Sequence, residues 1–331
     1  MISVVVPAYK NAPDVRRLVD SLEVRCGSSV PYEIVVVDDG SGDPAFESLP
    51  RACPRVRLLQ LTSNAGVATA RNMGARAAAH DVLLFLDSDM QALGNVLDVV
   101  AGMFERPEVS AVVGAVDPLP SNPTPFARFW GLVKAYSLPQ ERFSSTFYPM
   151  VGAIRRELFL RIGGFDERIK GASIEDYEIS VRLRAAGVVV HYNAQLLVRT
   201  SYHNISKSLR QTFSRTGKWL LLVAGQGTFD NHTTTRSQAA GLVAGTCLLA
   251  SLGIALWSPW AGPFVTVTSV SYLAVNARFF RYVVKNAGAA FVPIAVMFHL
   301  LLSVTVCAGA ARVLPYLLFP RDRRLREIYR N

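Results

Sequence analysis

Asp87-Ser-Asp89 follows directly on Val82-Leu-Leu-Phe-Leu86, five apolar residues in a row. A run of that length suits a strand buried on both faces, which places the two carboxylates where the strand emerges. In an open α/β sheet, ligands bind beyond the carboxyl ends of the strands. Two acids spaced i, i+2 at such an exit can converge on one hard cation, and that cation would in turn hold a diphosphate. Taken alone, an Asp-x-Asp is an ordinary strand-end turn with two solvated acids. This one has company. Pro7-Ala-Tyr-Lys-Asn11 follows an apolar run, Asp38-Asp39 follows another, and Glu175-Asp-Tyr-Glu178 opens a helical stretch. A fold built only for stability has no reason to collect like charges on one edge.

The elements that must position these groups can be read in order. Ile2–Val6, Glu33–Val37, Val56–Leu61, Val82–Leu86 and Val109–Val116 read as strands. Asp14–Glu23, Asn64–Ala79 and Val96–Phe104 read as the helices between them. This alternation implies parallel strands joined by helical crossovers. A proline-rich loop, 118–125, leads to an amphipathic stretch at Phe126–Tyr136. Arg156–Ile162 and Glu175–Ala186 read as helices, Val188–Tyr192 as a late strand, and Leu196–Val198 as a last strand-like run.

Six stretches together carry a resemblance: Val4–Asn11, Val35–Ser41, Asn64–Asn72, Phe85–Asp89, Gly163–Glu167 and Glu175–Glu178. In this order and spacing, over residues 1–220, they resemble the family 2 glycosyltransferases. The resemblance implies a GT-A fold, a Rossmann-like and mostly parallel α/β sheet, and an inverting transferase that uses a nucleotide sugar. It also implies roles. Pro7, Ala8 and Tyr9 match the loop that packs on the nucleotide base, and Asp39 matches the acid that hydrogen-bonds the base. Asn64–Arg71, with Gly66 and Arg71, matches the loop that closes over the nucleotide. Asp87 and Ser88 fall near ribose and metal, and Asp89 matches the ligand of a Mg²⁺ or Mn²⁺ ion. Asp176, with Glu175 beside it, matches the general base. Gly164, Phe165 and Asp166 fall on the acceptor side. Gln91 completes an Asp-x-Asp-x-Gln pattern similar to the polyprenyl-phosphate sugar synthases, in which the Gln also reaches the metal. His203 matches a histidine that joins the metal or diphosphate. Arg215 and Trp219 stand near the place of the processive synthases' Gln-x-x-Arg-Trp, at a different spacing; read without that likeness they anchor the chain at a membrane interface.

Chemistry supports these roles independently. A departing nucleoside diphosphate gathers negative charge that a divalent cation stabilises. A hydroxyl acceptor needs a base on the opposite side of the sugar. A polyprenyl-phosphate acceptor needs none, so Asp176 favours the hydroxyl while Asp-x-Asp-x-Gln favours the phosphate. A non-catalytic scaffold would have lost Asp87, Asp89 or Asp176. A nucleotidyltransferase would carry a Gly-rich, Lys-bearing loop after the first strand.

The rest of the chain changes character. Net charge is +10, from 35 Lys and Arg against 25 Asp and Glu. Basic residues cluster at 199–236 and 312–330, beside apolar runs, which favours anionic lipid over nucleic acid as partner. The stretches 239–257, 260–277 and 287–311 carry no charge. The first two read as a membrane-spanning hairpin. The third, basic at both ends, crosses once, re-enters, or lies in the interface. The expected organisation is a transferase domain at 1–220, a basic linker at 221–238, a membrane region at 239–319 and a basic tail at 320–331. Met1-Ile-Ser-Val-Val-Val-Pro7 reads as a strand and not as a signal peptide, so the transferase domain is expected on the cytoplasmic face of the inner membrane. The four cysteines form no CxxC pair or zinc spacing.

Overall fold

A computed structural model describes residues 1–26, 30–122, 124–138, 142–169, 174–202, 204–226 and 236–318. The chain divides into two compact units, one of Met1–Ser121 with Leu138–Ser201 and one of Asn122–Ser137 with Tyr202–Tyr329.

The first unit is built on a nine-stranded sheet: β1 Ile2–Ala8, β2 Tyr32–Asp38, β3 Val56–Gln60, β4 Val82–Leu86, β5 Gln91–Leu93, β6 Ala111–Val116, β7 Phe143–Ser144, β8 Val151–Arg155 and β9 Val190–Arg199. The order is β3-β2-β1-β4-β8-β6-β9-β5, with β7 paired to β9. From β3 to β4 all neighbours are parallel. Every residue of β1 and β4 is buried, as continuous apolar strands covered on both faces must be.

Beyond β4 the sheet departs from the mostly parallel expectation. β8 runs antiparallel to both β4 and β6, while β6 and β9 pair parallel. Parallel neighbours require a crossover. Antiparallel neighbours require none, and the helix Pro125–Ser137 between β6 and β8 belongs to the second unit. β8 also escapes a reading by pattern, because Val-Gly-Ala-Ile-Arg has two small residues. A Cβ at Gly152 would meet the Phe147 ring at 3.0 Å. That ring belongs to a cluster centred on Phe85 of β4, with Phe147, Phe159 and Phe165 at 6.4, 5.2 and 5.5 Å. The cluster fixes the end of β4 just before Asp87.

The second unit is helical: Pro125–Ser137, Ile205–Gln226, Arg236–Ala255, Gly262–Val275, Ala277–Ala287 and Val292–Leu318. Gln238–Ala255 and Ala289–Pro315 are long and apolar enough to cross a membrane. The second apolar run forms a helix of only 14 residues, about 21 Å at 1.5 Å per residue, against a hydrocarbon core of about 30 Å. Asn276 ends it: its side chain donates to the Tyr272 and Gly241 carbonyls at 3.0 and 3.3 Å. The third run, which the sequence left open, forms a helix of spanning length. The expected basic linker contains the end of one helix and the start of another, with 227–235 outside the described residues, as are the tail from 319 onward and His203.

Candidate functional site

The carboxyl ends of β1, β2 and β4 are stitched into one wall by side chains. After β1, Lys10 turns with φ +55, a left-handed conformation uncommon outside glycine. Its N–H donates to Ser41 Oγ at 2.7 Å, and Ser41 N–H donates to Asp38 Oδ1 at 3.0 Å. Asn11 accepts from the Tyr9 N–H at 3.0 Å and donates to Ser88 Oγ at 2.6 Å, which joins the β1 loop to the β4 loop. Tyr9 stays exposed, with the Lys10 ammonium 5.1 Å from its ring centre. Pro7 and Ala8 lie inside β1 and are buried.

Asp39 is buried and accepts from the Ala65 and Gly66 N–H groups at 2.7 and 2.9 Å. These amides precede the helix Val67–Ala77, where unpaired N–H groups attract negative charge. The helix begins at Val67, so of the Asn64–Arg71 segment only 64–66 is a loop.

Arg71 lies one turn into that helix and is 3 % exposed. One guanidinium nitrogen donates to Asp87 Oδ1 at 2.7 Å and another to Glu175 Oε1 at 3.1 Å. The group also faces the Phe165 ring at 5.4 Å. Burial works against its charge, but Asp87 and Glu175 outweigh that effect, so Arg71 is held more firmly protonated than a free arginine. Its Nε has no partner among the described residues. The family resemblance matches Arg71 to the end of the segment that closes over the nucleotide. In the structure it is the buried link between the strand-end acid and the helix Glu175–Ala185.

Asn72, next along, reads the Gly163–Glu167 segment. Its amide donates to Phe165 O at 2.8 Å and Glu167 Oε1 at 2.9 Å, and its oxygen accepts from Phe165 N–H at 2.8 Å. Gly164 is required there: φ is +66, and a Cβ would stand 2.5 Å from Asn72 Oδ1. Asp166 pairs with Arg168, whose hydrogen bond holds its carboxyl below the usual range against the effect of burial.

Asp176 is the second residue of its helix and is buried, with Oδ1 accepting from Tyr177 N–H at 3.0 Å. Its carbonyl accepts from Ser180 Oγ, which accepts in turn from Phe147 N–H at 2.8 Å. Glu175 is committed to Arg71 and Glu178 to Arg182. The three acids that look like a bare negative cluster in sequence therefore have two of their charges balanced.

Asp87 and Asp89 leave β4 half-buried. Among the described residues, no three His, Cys, Asp or Glu side chains gather where they could hold a metal. Two carboxylates fit a Mg²⁺-like ion that arrives with phosphate oxygens, which needs only one or two protein ligands. Gln91 opens β5, pairs with Arg199, and its Oε1 accepts from Ser121 Oγ at 3.2 Å. Arg215 and Trp219 lie on Ile205–Gln226 in the second unit. Sequence reasoning missed Asn11, Ser41 and Asn72 as the wiring of the wall. All three end a stretch that carries the family resemblance, Val4–Asn11, Val35–Ser41 and Asn64–Asn72, which was the available signal.

The sequence model described as Glycosyl transferase family 2 matches residues 3–163, and one described as Glycosyltransferase like family 2 matches 140–231. The chain is 30 % identical over 222 residues to the pre-mycofactocin glycosyltransferase of Mycobacterium tuberculosis, covering 65 % of this chain and 45 % of that protein. It is 29 % identical over 272 residues to the O-antigen biosynthesis protein RfbC of Myxococcus xanthus, covering 73 % of this chain and 21 % of that one. It thus spans less than half the length of both relatives. Among solved structures, the mannosyltransferase PcManGT of Pyrobaculum calidifontis, in complex with GDP-Man and Mn²⁺, superposes with a TM-score of 0.57 at 19 % identity, over 97 % of this chain and 88 % of that one.

Proposed function

Because the chain belongs to glycosyl transferase family 2 and has the GT-A fold, we propose that it transfers a sugar, with inversion, from a UDP- or GDP-linked donor to an acceptor hydroxyl. The acceptor is a lipid-linked saccharide or envelope glycan. The observation that carries this reading is the Asp87–Arg71–Glu175 bridge. One buried guanidinium fixes the acid at the end of β4 relative to the helix that begins Glu175-Asp176. A donor-holding acid and a proton acceptor must be kept at a set separation for in-line transfer, and a shared buried cation does that.

In this reading Asp87 and Asp89 hold a Mn²⁺ or Mg²⁺ ion together with the donor diphosphate. When bound, the ion stabilises the charge of the departing nucleoside diphosphate. Tyr9 and the 64–66 loop flank the nucleotide, and Asp39 holds that loop by its amides. Asp176 accepts the proton of the acceptor hydroxyl. Support for the donor class comes from the GDP-Man and Mn²⁺ in the Pyrobaculum enzyme, and for an envelope acceptor from the O-antigen protein. The two apolar helices, with cations near their ends, support a multi-pass membrane protein whose transferase unit is cytoplasmic.

Asp176→Asn tests the reaction. It keeps shape but removes basicity, so turnover falls by about 10²-fold or more, with donor KM little changed. Turnover within a few-fold of wild type would overturn the hydroxyl acceptor and leave a phosphate acceptor, which needs no base. Asp89→Ala tests the ion by calorimetry: the added nucleoside-diphosphate affinity that Mn²⁺ confers on the native protein disappears. An unchanged Mn²⁺ effect in this variant refutes the assignment.

A further inference from the structure

The helix Ala277–Ala287 presents two opposite faces. Phe279, Phe280 and Val283 are buried in the core of the second unit, with Phe129, Tyr272 and Phe291. Arg278, Arg281 and Lys285, at i, i+3 and i+7, form one exposed stripe on the other side. None of the three has an ion-pair partner among the described residues. The sequence offers none locally either, since it has no Asp or Glu between Asp230 and Asp322. Three unpaired cations on a face fixed by burial behind it call for an external anion.

Their position identifies which anion. Trp257 and Trp260, 90 % and 89 % exposed, stand before the helix Gly262–Val275. Along that helix Phe264, Val267, Val270 and Leu273 are all more than half exposed. An exposed apolar band that ends at a row of cations is the order of surfaces met on passing from the hydrocarbon core into a headgroup layer. The corner between band and cations is pinned: Asn276 donates to Gly241 O, and a Cβ at Gly241 would stand 2.2 Å from Asn276 Oδ1. The stripe is thereby held at the Gly241 end of a helix long and apolar enough to span.

We propose that Arg278, Arg281 and Lys285 form a docking surface for anionic phospholipid headgroups, at the boundary where the exposed apolar band ends. The proposal rests on the membrane reading above and goes further by naming the face and the lipid charge it selects. A flexible basic tail collects anionic lipid diffusely; a stripe on a packed helix selects it at one defined place.

The test uses the full chain in nanodiscs of mixed phosphatidylcholine and phosphatidylglycerol. A benzophenone amino acid replaces Val284, which is 45 % exposed beside the stripe, or Val267 in the band. After illumination, lipid adducts are identified by mass spectrometry. At 284, phosphatidylglycerol adducts are expected to exceed its bulk share several-fold, since each cation near such a surface contributes up to about fivefold. The excess should disappear in Arg278→Gln/Arg281→Gln/Lys285→Gln and persist in Arg278→Lys/Arg281→Lys. Adducts at 284 in bulk proportion, or unaffected by the triple Gln variant, overturn the proposal. Lipid adducts at 267 with none at 284 overturn it while leaving the membrane reading intact. None at either position removes both.

Discussion

Arg71 and Arg281 are the same residue put to opposite uses. Arg71 is 3 % exposed, touches two carboxylates and stacks on Phe165. Arg281 lies on an exposed stripe with Arg278 and Lys285 and with no ion pair among the described residues. In the sheet unit, cation and acid are consumed by one another, so the charge there specifies geometry. In the helical unit charge is left outstanding, so it specifies surroundings. A buried ion pair is poor evidence for stability but good evidence that a particular arrangement is being held.

The sharpest way to break this contrast is to remove each arginine. Arg71→Met leaves Asp87 and Glu175 facing each other without their cation. Breaking a buried pair from one side costs about 3–5 kcal/mol. Urea unfolding of the sheet unit's signal should show a loss of that order, and nucleotide-dependent activity should collapse with it. Arg71→Lys keeps the charge but cannot reproduce both arms of the planar fork, so it should recover part of the stability and less of the turnover. A near-neutral Arg71→Met would reduce the bridge to an incidental contact.

Asn72→Ala is expected to come next. It removes three hydrogen bonds to Phe165 and Glu167 and leaves the Phe165 N–H and C=O without their side-chain partner, at about 2–3 kcal/mol. Because the damage lies behind the reacting groups, kcat should fall while nucleoside-diphosphate affinity, read by calorimetry, stays within a few-fold.

A smaller effect follows from pH. Asp166 is held below its ordinary pKa by the Arg168 hydrogen bond. A depressed carboxyl contributes stability that is fully present above the unfolded pKa, about 3.9, and is lost as pH falls through the lower folded value. Arg168→Ala should therefore weaken the protein at neutral pH and flatten its acid dependence below about pH 4, as followed by thermal melts across that range. Arg168 is 76 % exposed, so solvent screening limits the effect to a few tenths of a kcal/mol. Least of all, Arg281→Gln in detergent should change stability by under about 0.5 kcal/mol; a larger loss would mean that this arginine has a protein partner.

What could be read from the chain follows the same division. The parallel half of the sheet was legible because buried parallel strands are continuous apolar runs, and Ile2–Ala8 and Val82–Leu86 are such runs. The strand-end acids were legible because they interrupt those runs. β8 was not, because its Gly152 is set by the Phe147 ring and lies opposite Phe85 of β4, and no local pattern encodes that. Arg71 was read as part of the stretch that closes over the nucleotide, and nothing in Ala-Thr-Ala-Arg-Asn announces that the guanidinium turns inward to two acids 16 and 104 positions away. In the helical unit, absence of charge identified apolar segments but not where Asn276 would break one of them.

The place of β8 has a consequence for how the chain is made. β4 is hydrogen-bonded on one side to β1, which precedes it, and on the other to residues 151–155. Chains fold from the N-terminus as they are synthesised, so the first four strands can assemble while β8 is still untranslated or inside the ribosome. Over that interval the most apolar strand of the sheet presents an open edge, the kind of surface on which nascent chains pair with one another. Closing it must wait until residues 151–155 have been made. Slow translation between residues 90 and 155 would lengthen that exposure, and aggregation during synthesis should track the decoding speed of this stretch more closely than that of any other.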